Sequence, residues 1–235
     1  EVWLVYVSTG SAWSEFVGYV DALEIVVDRG GSTETLVFDL EGPVSDVFVD
    51  DDWSALLAGQ ETAPGSGQYI SYNAYASVQQ GLDNVVGSTV NVGAGTYEEQ
   101  LVIGSDVDLI GAGAAITTIV SPDVLTSTFS RGSSNFHPVI SVLGGTSSLI
   151  QGLTVDGAGK GAANRPFVGI GMYNAGGTID QVRVTGIREN PLNGNQHGLG
   201  IYGIFDDLGT HAVVCTNSEV DDFQKNGITF NGYGG

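Results

Sequence analysis

The sequence predicts an all-β protein whose main part is a parallel β-helix, a solenoid of stacked coils. Three observations indicate this fold. Short strand-like segments recur about every 30 residues, Gly, Asn or Asp turns follow them, and a short amphipathic helix precedes the first of them. At 235 residues and 42% hydrophobic composition, the chain can bury a sizeable core. The 36 glycines show no collagen-like period, so we expect them to serve turns.

Two series of segments carry the repeat. IQGLTVDG begins at Ile150 and IDQVRVTG at Ile179, which is 29 residues later, and CTNSEVDD follows from Cys215 with a looser fit. The second series, GIG, GIY and GIT, is centred on Ile170, Ile201 and Ile228. Two interleaved series of similar period predict one coil per period and several strands per coil. The expected inward-facing residues are Ile150, Leu153, Val155, Ile179, Val182 and Val184, with Cys215 buried in the same column.

The chain divides into four parts. Residues 1–46 form a small β-rich segment with three strand-like runs, VWLVYV, ALEIVVD and TLVFDL, expected to be antiparallel and short for a complete sandwich domain. Residues 47–72 form an acidic connector rich in Gly, Ser and Pro, and residues 73–87 form a capping helix. Residues 88–235 form the parallel β-helix, expected to be incomplete at its C-terminal end because no capping sequence follows.

The helix prediction depends on three apolar residues. Val78, Leu82 and Val85 stand at i, i+4 and i+7, which is one face of a helix. Asn73 or Ser77 is the expected N-cap.

The stretch from Val47 to Asp123, with YASVQQGLDNVVGSTVNV, GTYEE, LIGAG and TTIV, resembles the opening of pectin-lyase-like proteins. It is most similar to the bacterial secreted and cell-surface β-helix repeat proteins of that superfamily. The resemblance covers roughly residues 47–235 and implies a right-handed β-helix with an N-terminal capping helix, at an extracellular or cell-surface location. The superfamily includes lyases, hydrolases, esterases, epimerases and adhesins, so the resemblance does not specify an activity.

Charge excludes several classes of partner. The net charge is −20, and residues 1–130 hold 19 acidic residues against one basic residue, Arg29. Such a surface repels nucleic acid and anionic lipid. No apolar run is long enough to span a membrane, and Cys215 is the single cysteine, so no internal disulfide forms. Since the chain begins at Glu1 without methionine, we expect it to be a mature or excised segment.

The adjacent Glu98 and Glu99 are the first candidates for catalysis. Neighbouring residues of an extended chain point to opposite faces, so they are poorly placed to act on one bond. We therefore predict structural or solvated roles for both. The QDTL, DFIFG and LGRPW motifs that the resemblance would imply for an esterase are absent.

Other catalytic arrangements are incomplete as well. The polygalacturonase order of motifs is not met, since His197 precedes Asp221 and Asp222 and no Arg-Ile-Lys follows. No acidic cluster is recognisable in sequence beside the arginines of a pectate-lyase pattern, so solvated or turn-bonding roles are expected for Arg165, Arg183 and Arg188. The histidines lack metal-ligand spacing, and turn or surface roles are expected for His137, His197 and His211. No catalytic residue is assigned, which favours a protein that is not an enzyme.

The predicted metal ligands are Asp50, Asp51 and Asp52. A hard cation such as Ca²⁺ relieves the repulsion of clustered carboxylates. Against this site, consecutive carboxylates of an extended segment cannot all face one ion. The alternative is a solvated connector.

Two functions remain open. The first is a structural or adhesive segment of an extracellular surface protein, such as a subunit of a filament, sheath or surface layer, whose partners are neighbouring subunits or further domains at the open C-terminal coil. The alternative is a carbohydrate-active protein, either a polysaccharide lyase or hydrolase or a module that binds extracellular glycans. Aromatic residues near the last coils would stack on sugars in that alternative, and otherwise belong to the core or a strand face: Tyr202, Phe205, Phe223, Phe230 and Tyr233.

Overall fold

A computed structural model describes residues 22–28, 33–39, 44–104, 106–144 and 147–232. Strands β1 (Ala22–Asp28) and β2 (Thr33–Asp39) pair antiparallel, which confirms the prediction for two of the three N-terminal runs. The remaining run, VWLVYV, and Tyr233 lie outside the described residues.

In the described part of the chain, the other strands belong to three sheets, defined here as sheets I, II and III. Sheet I contains β7 (Leu101–Ile103), β10 (Phe129–Arg131), β11 (Ser134–Leu143), β14 (Phe167–Tyr173), β17 (Leu199–Phe205) and β20 (Asn226–Gly232). Sheet II contains β3 (Val44–Val49), β4 (Ala74–Tyr75), β5 (Val85–Val92), β8 (Asp108–Gly111), β12 (Ser147–Gln151), β15 (Gly176–Asp180) and β18 (Val213–Thr216). Sheet III contains β6 (Gly95–Glu98), β9 (Thr117–Val120), β13 (Thr154–Asp156), β16 (Arg183–Thr185) and β19 (Glu219–Val220).

The chain visits sheets II, III and I in turn, and each new strand pairs in parallel with the corresponding strand of the previous coil. The exception is the β10–β11 hairpin, which is antiparallel. This path is a parallel β-helix, which confirms the predicted fold class. Both repeat series are in register, since Ile150 pairs with Ile179, and Ile201 lies between Ile170 and Ile228.

One aliphatic core runs through the coils because alternate residues of each strand point inward. All six predicted aliphatic core residues are buried. Cys215 occupies the predicted column, opposite Ile179, but it is exposed rather than buried. The physical reason is its position: β18 is an outermost strand of sheet II in the described chain, so no further coil covers it there.

The capping helix is confirmed as α1 (Val78–Asn84), with Ser77 as its N-cap. Val78, Leu82 and the following Val85 are buried against the core. The helix is shorter than the predicted residues 73–87 because β4 and β5 take up residues on either side of it.

The solenoid begins earlier than residue 88, which is a difference from the sequence prediction. β3 already pairs in parallel with β5, and its Val47 and Val49 are buried in the core. The acidic residues that indicated a connector follow this strand instead of interrupting it, and they lead into a 3₁₀ helix (Asp51–Ala55).

The glycines serve two purposes rather than one. Gly152 and Gly186 have φ angles of 67° and 66°, so they occupy turns in the left-handed region, as expected. Gly169 and Gly200, however, lie inside strands and are buried. A Cβ atom at Gly169 would collide with the Val184 side chain and a neighbouring strand, so close packing requires glycine there.

Candidate functional site

The predicted metal ligands lie together after β3. One carboxylate oxygen from each of Asp50, Asp51 and Asp52 lies within 4.8 Å of the others. The 3₁₀ turn brings them onto one side, so the objection from an extended segment does not apply. Two of the carboxylate oxygens already accept hydrogen bonds. Asp50 Oδ1 accepts one from the Asp52 N–H and Asp51 Oδ2 accepts one from the Thr96 N–H, each at a distance of 3.0 Å. These residues could hold a cation, and calcium binding stays a prediction.

Glu98 and Glu99 act separately. The Glu99 carboxylate accepts hydrogen bonds from Ser77 Oγ (2.7 Å) and from the N–H groups of Val78 (2.8 Å) and Gln79 (2.9 Å) at the start of α1. Glu98 is exposed and lies 3.0 Å from Lys160 Nζ. These contacts agree with the predicted structural or solvated roles, and the two carboxylates have separate partners.

Two long loops between sheet III and sheet I carry a group of charged and amide side chains. Residues 157–166 connect β13 to β14, and residues 186–198 connect β16 to β17. Three arginines of these coils pair with carboxylates farther along the chain: Arg165 with Glu189, Arg183 with Asp221, and Arg188 with Asp222. Solvated or turn-bonding roles were predicted; Arg165 and Arg183 are about half exposed, and all three arginines form ion pairs with partners 24, 38 and 34 residues away.

Glu189 is the centre of this polar region. Its side chain is only 4% exposed, and Arg165 holds it through Nε (3.0 Å to Oε1) and Nη2 (2.8 Å to Oε2). The amides of Asn193 (2.6 Å) and Asn195 (2.7 Å) donate to the same carboxylate. The hydrogen bonds from Arg165 and these amides lower the pKa of Glu189 to about 2, because they stabilise the charged form.

His197 lies against Glu189 and is buried, with 8% of its surface exposed. Its Nε2 is 2.7 Å from Glu189 Oε1, yet within the described residues neither ring nitrogen has an aligned hydrogen-bond partner. Burial lowers the pKa of His197; Glu189 opposes this effect, and the nearby cations Arg165 and Lys225 add to it. His197 therefore lies in a loop, as expected, but it is buried rather than at the surface.

Beside His197 is a cavity of about 370 Å³ on the outer face of sheet I. Phe136 and Tyr202 form its apolar wall, with ring centroids 5.0 Å apart. Lys225, Asn226 and Asn231 contribute polar groups. This arrangement of a buried imidazole, an ammonium, amides and aromatic rings can bind a small polar ligand with one apolar face.

The other two histidines, and Asp206 near one of them, lie elsewhere. His211 lies 2.7 Å from Asp207 and stacks on Phe205, and His137 lies in β11. Asp206 Oδ1 accepts a hydrogen bond from Asn174 Nδ2 at a distance of 2.8 Å. These residues stabilise individual turns and strands and do not join the His197 cavity.

Sequence reasoning missed Glu189, Asn193, Asn195 and Lys225. They occur in loops without a recognised motif, and their partners come from neighbouring coils. The usable signal was the repeat itself, since residues one coil apart in a parallel β-helix lie side by side.

Comparison with known proteins adds no family. No model of a known protein family matches the chain, and no curated protein is significantly similar to it in sequence. Within the described residues, no helix has the length and apolar character needed to cross a membrane.

Proposed function

We propose that this chain is a structural or adhesive segment of an extracellular surface protein, whose β-helix stacks with further coils. The observation that supports it is the last described coil. Val214 is 48% exposed and Ile228 is 47% exposed, although Ile228 continues the column of the fully buried Ile201. Phe223 and Phe230 are exposed on the same coil.

Large apolar side chains exposed on one coil are expected where another element packs. The outward edges of β18, β19 and β20 add unpaired backbone groups, because none of the described strands pairs on that side. A further coil would satisfy both the side chains and the backbone. In the proposal, that coil belongs to a following part of the same protein or to a neighbouring subunit.

The charge supports an extracellular setting rich in salt or divalent ions. A chain of net charge −20 stays soluble between assembly events, and cations would screen the repulsion between neighbouring subunits. Assembly is therefore expected to strengthen as salt or calcium rises.

The experiment is light scattering of the chain across salt concentration, comparing Ile228→Lys with Ile116→Lys. Both positions expose an isoleucine, but Ile116 lies between β8 and β9, in an earlier coil. We expect salt-dependent association that Ile228→Lys abolishes and Ile116→Lys preserves. If the chain stays a monomer at every salt concentration, with and without calcium, self-association is overturned. If, in addition, the chain binds no further coil of the native protein, the proposal is overturned.

A second candidate function, glycan binding, is favoured by the His197 cavity. Tyr202 and Phe136 offer an apolar wall and the surrounding amides offer hydrogen bonds, which is the combination that sugar rings require. A glycan array tests binding, and assays for reducing ends and unsaturated products test cleavage. Retention without cleavage would support a binding module, and cleavage would support a lyase or hydrolase.

A further inference from the structure

The His197 cavity differs in charge from the rest of the protein. The sequence has 27 acidic residues against seven lysines and arginines, yet the described lining of this cavity includes Lys225 and His197 and no aspartate or glutamate. Lys225 has no carboxylate within ion-pairing distance in the described chain, whereas Lys160, Arg165, Arg183 and Arg188 all do. A cation left unpaired in such an acidic protein is available to a ligand.

The nearest carboxylate does not neutralise the cavity. Glu189 touches His197 but is absent from the cavity lining. Its two oxygens are occupied by Arg165, Asn193 and Asn195, so its charge is already balanced. Lys225 is therefore the unpaired cation of the described cavity lining.

His197 supplies a second, independent indication of a ligand. Buried polar nitrogens normally have hydrogen-bond partners, because an unpaired one has lost its water without compensation. Nε2 of His197 lies 2.7 Å from Glu189 Oε1, whereas Nδ1 is buried without a partner in the described residues. A ligand oxygen in the cavity would supply the missing partner to Nδ1.

The apolar wall is held in place and leaves one donor free. Asn231 Nδ2 donates to the Tyr202 hydroxyl over 2.8 Å, so the hydroxyl oxygen accepts and its own hydrogen remains available. The Tyr202 ring stacks at a tilt on Phe136. The cavity lining thus combines hydrogen-bond donors, a cation and aromatic carbon.

We propose that this cavity binds an anionic group, a carboxylate or a sulfate, carried on a sugar-sized ring. Lys225 pairs with the anion, His197 and the Tyr202 hydroxyl donate hydrogen bonds, and the ring packs on Tyr202 and Phe136. The identity of the ring rests on the glycan-binding candidate, whereas the preference for an anion rests on the cavity alone.

The test is a titration of the intact chain, followed by NMR, with three methyl glycosides of one ring: glucose, glucuronate and glucose 6-sulfate. We expect an anionic ring to bind at least about tenfold more tightly than glucose, because only the anion can pair with Lys225 and accept charge-assisted hydrogen bonds. The carboxylate and sulfate arms decide which anion fits. Binding should weaken as salt rises.

Variants localise the effect. Lys225→Gln should reduce the affinity for the preferred anion to that of glucose, and Lys225→Arg should restore most of it. Arg131→Gln is the matched control, because Arg131 is also exposed and without a carboxylate partner in the described residues, but does not line the cavity. Equal binding of glucose and both anions, equal losses in Lys225→Gln and Arg131→Gln, or no binding of either anion would each overturn the proposal. Failure of every oligosaccharide on an array, with the anion titration intact, would instead remove only the glycan-binding function.

Discussion

Glu99 and Ser77 are 22 residues apart in sequence, yet Ser77 Oγ donates to Glu99 Oε2 over 2.7 Å at the start of α1. The same carboxylate accepts hydrogen bonds from two backbone N–H groups of the first helical turn. A helix N-terminus has unpaired N–H groups and a partial positive charge, so a carboxylate there stabilises it. Glu99 therefore fastens the capping helix to the coil beneath it.

The first prediction compares the two adjacent glutamates. Glu99→Gln should lower the free energy of unfolding by about 0.5–2 kcal/mol, as for the loss of a helix cap. Glu98→Gln should have a smaller effect, because Glu98 is exposed and its ion pair with Lys160 is at the surface. Urea denaturation followed by circular dichroism measures both. Equal losses would contradict a capping role for Glu99.

The second prediction uses one column of sheet I. Ile201→Ala should cost about 2–5 kcal/mol, because its side chain is fully buried. Ile228→Ala should cost clearly less in the isolated chain, because Ile228 is about half exposed although it pairs directly with Ile201. Chemical denaturation of the two variants gives the difference. If Ile228→Ala is as costly as Ile201→Ala, a covering element already packs on the last coil in solution.

The third prediction concerns pH. Because the pKa of Glu189 is lowered from 4.5 to about 2, the folded state binds fewer protons there than the unfolded state between these values. This stabilisation is fully present above pH 4.5 and is lost as the pH falls toward 2. Glu189→Gln should reduce the melting temperature at neutral pH and flatten its fall in this acidic range. Glu98→Gln is the control for removing one negative charge, and an unchanged acid profile in Glu189→Gln would contradict the assignment.

The fourth prediction concerns calcium at Asp50, Asp51 and Asp52. Bound calcium should raise the melting temperature, with a gain of about 2.7 kcal/mol at a hundredfold excess over Kd. The Asp52→Asn variant should lose most of this gain. Asp52 is the exposed member of the three, and within the described residues its carboxylate accepts no backbone hydrogen bond like those of Asp50 and Asp51. Melting curves with calcium and with chelator, at constant ionic strength, measure it. Identical curves would leave the three acids as solvated surface.

The sequence predicted the later coils well and the earlier ones poorly. Ile150 and Ile179 lie in coils of similar length and similar sequence, so the sequence repeat indicated their register. Val90 and Leu109 also pair, but they are only 19 residues apart, and Leu109 pairs with Ile150 across 41 residues. A varying coil length hides the repeat, because pairing depends on inward-facing residues and not on sequence distance.

The candidate site was harder to predict for a related reason. Arg165 and Glu189 belong to successive loops between sheet III and sheet I. In such loops no alternation of inward-facing and outward-facing residues predicts which side chains meet. The burial of His197 depends on how the 186–198 loop folds back, and sequence periodicity does not report on loop shape. The exposure of Cys215 depends on what covers its coil, which its own strand pattern does not encode.

The corners of the coil differ in how much they vary. Between sheets II and III the turn is two residues long at 152–153, 181–182 and 217–218, while the loops between sheets III and I range widely in length. The spacing between coils is set by backbone pairing at about 4.8 Å, so a loop can change length or chemistry without moving its neighbours along the axis. Side chains where successive loops join their strands therefore lie at a constant interval along the axis of the β-helix. A linear polymer whose repeat is a multiple of that interval would meet them in phase.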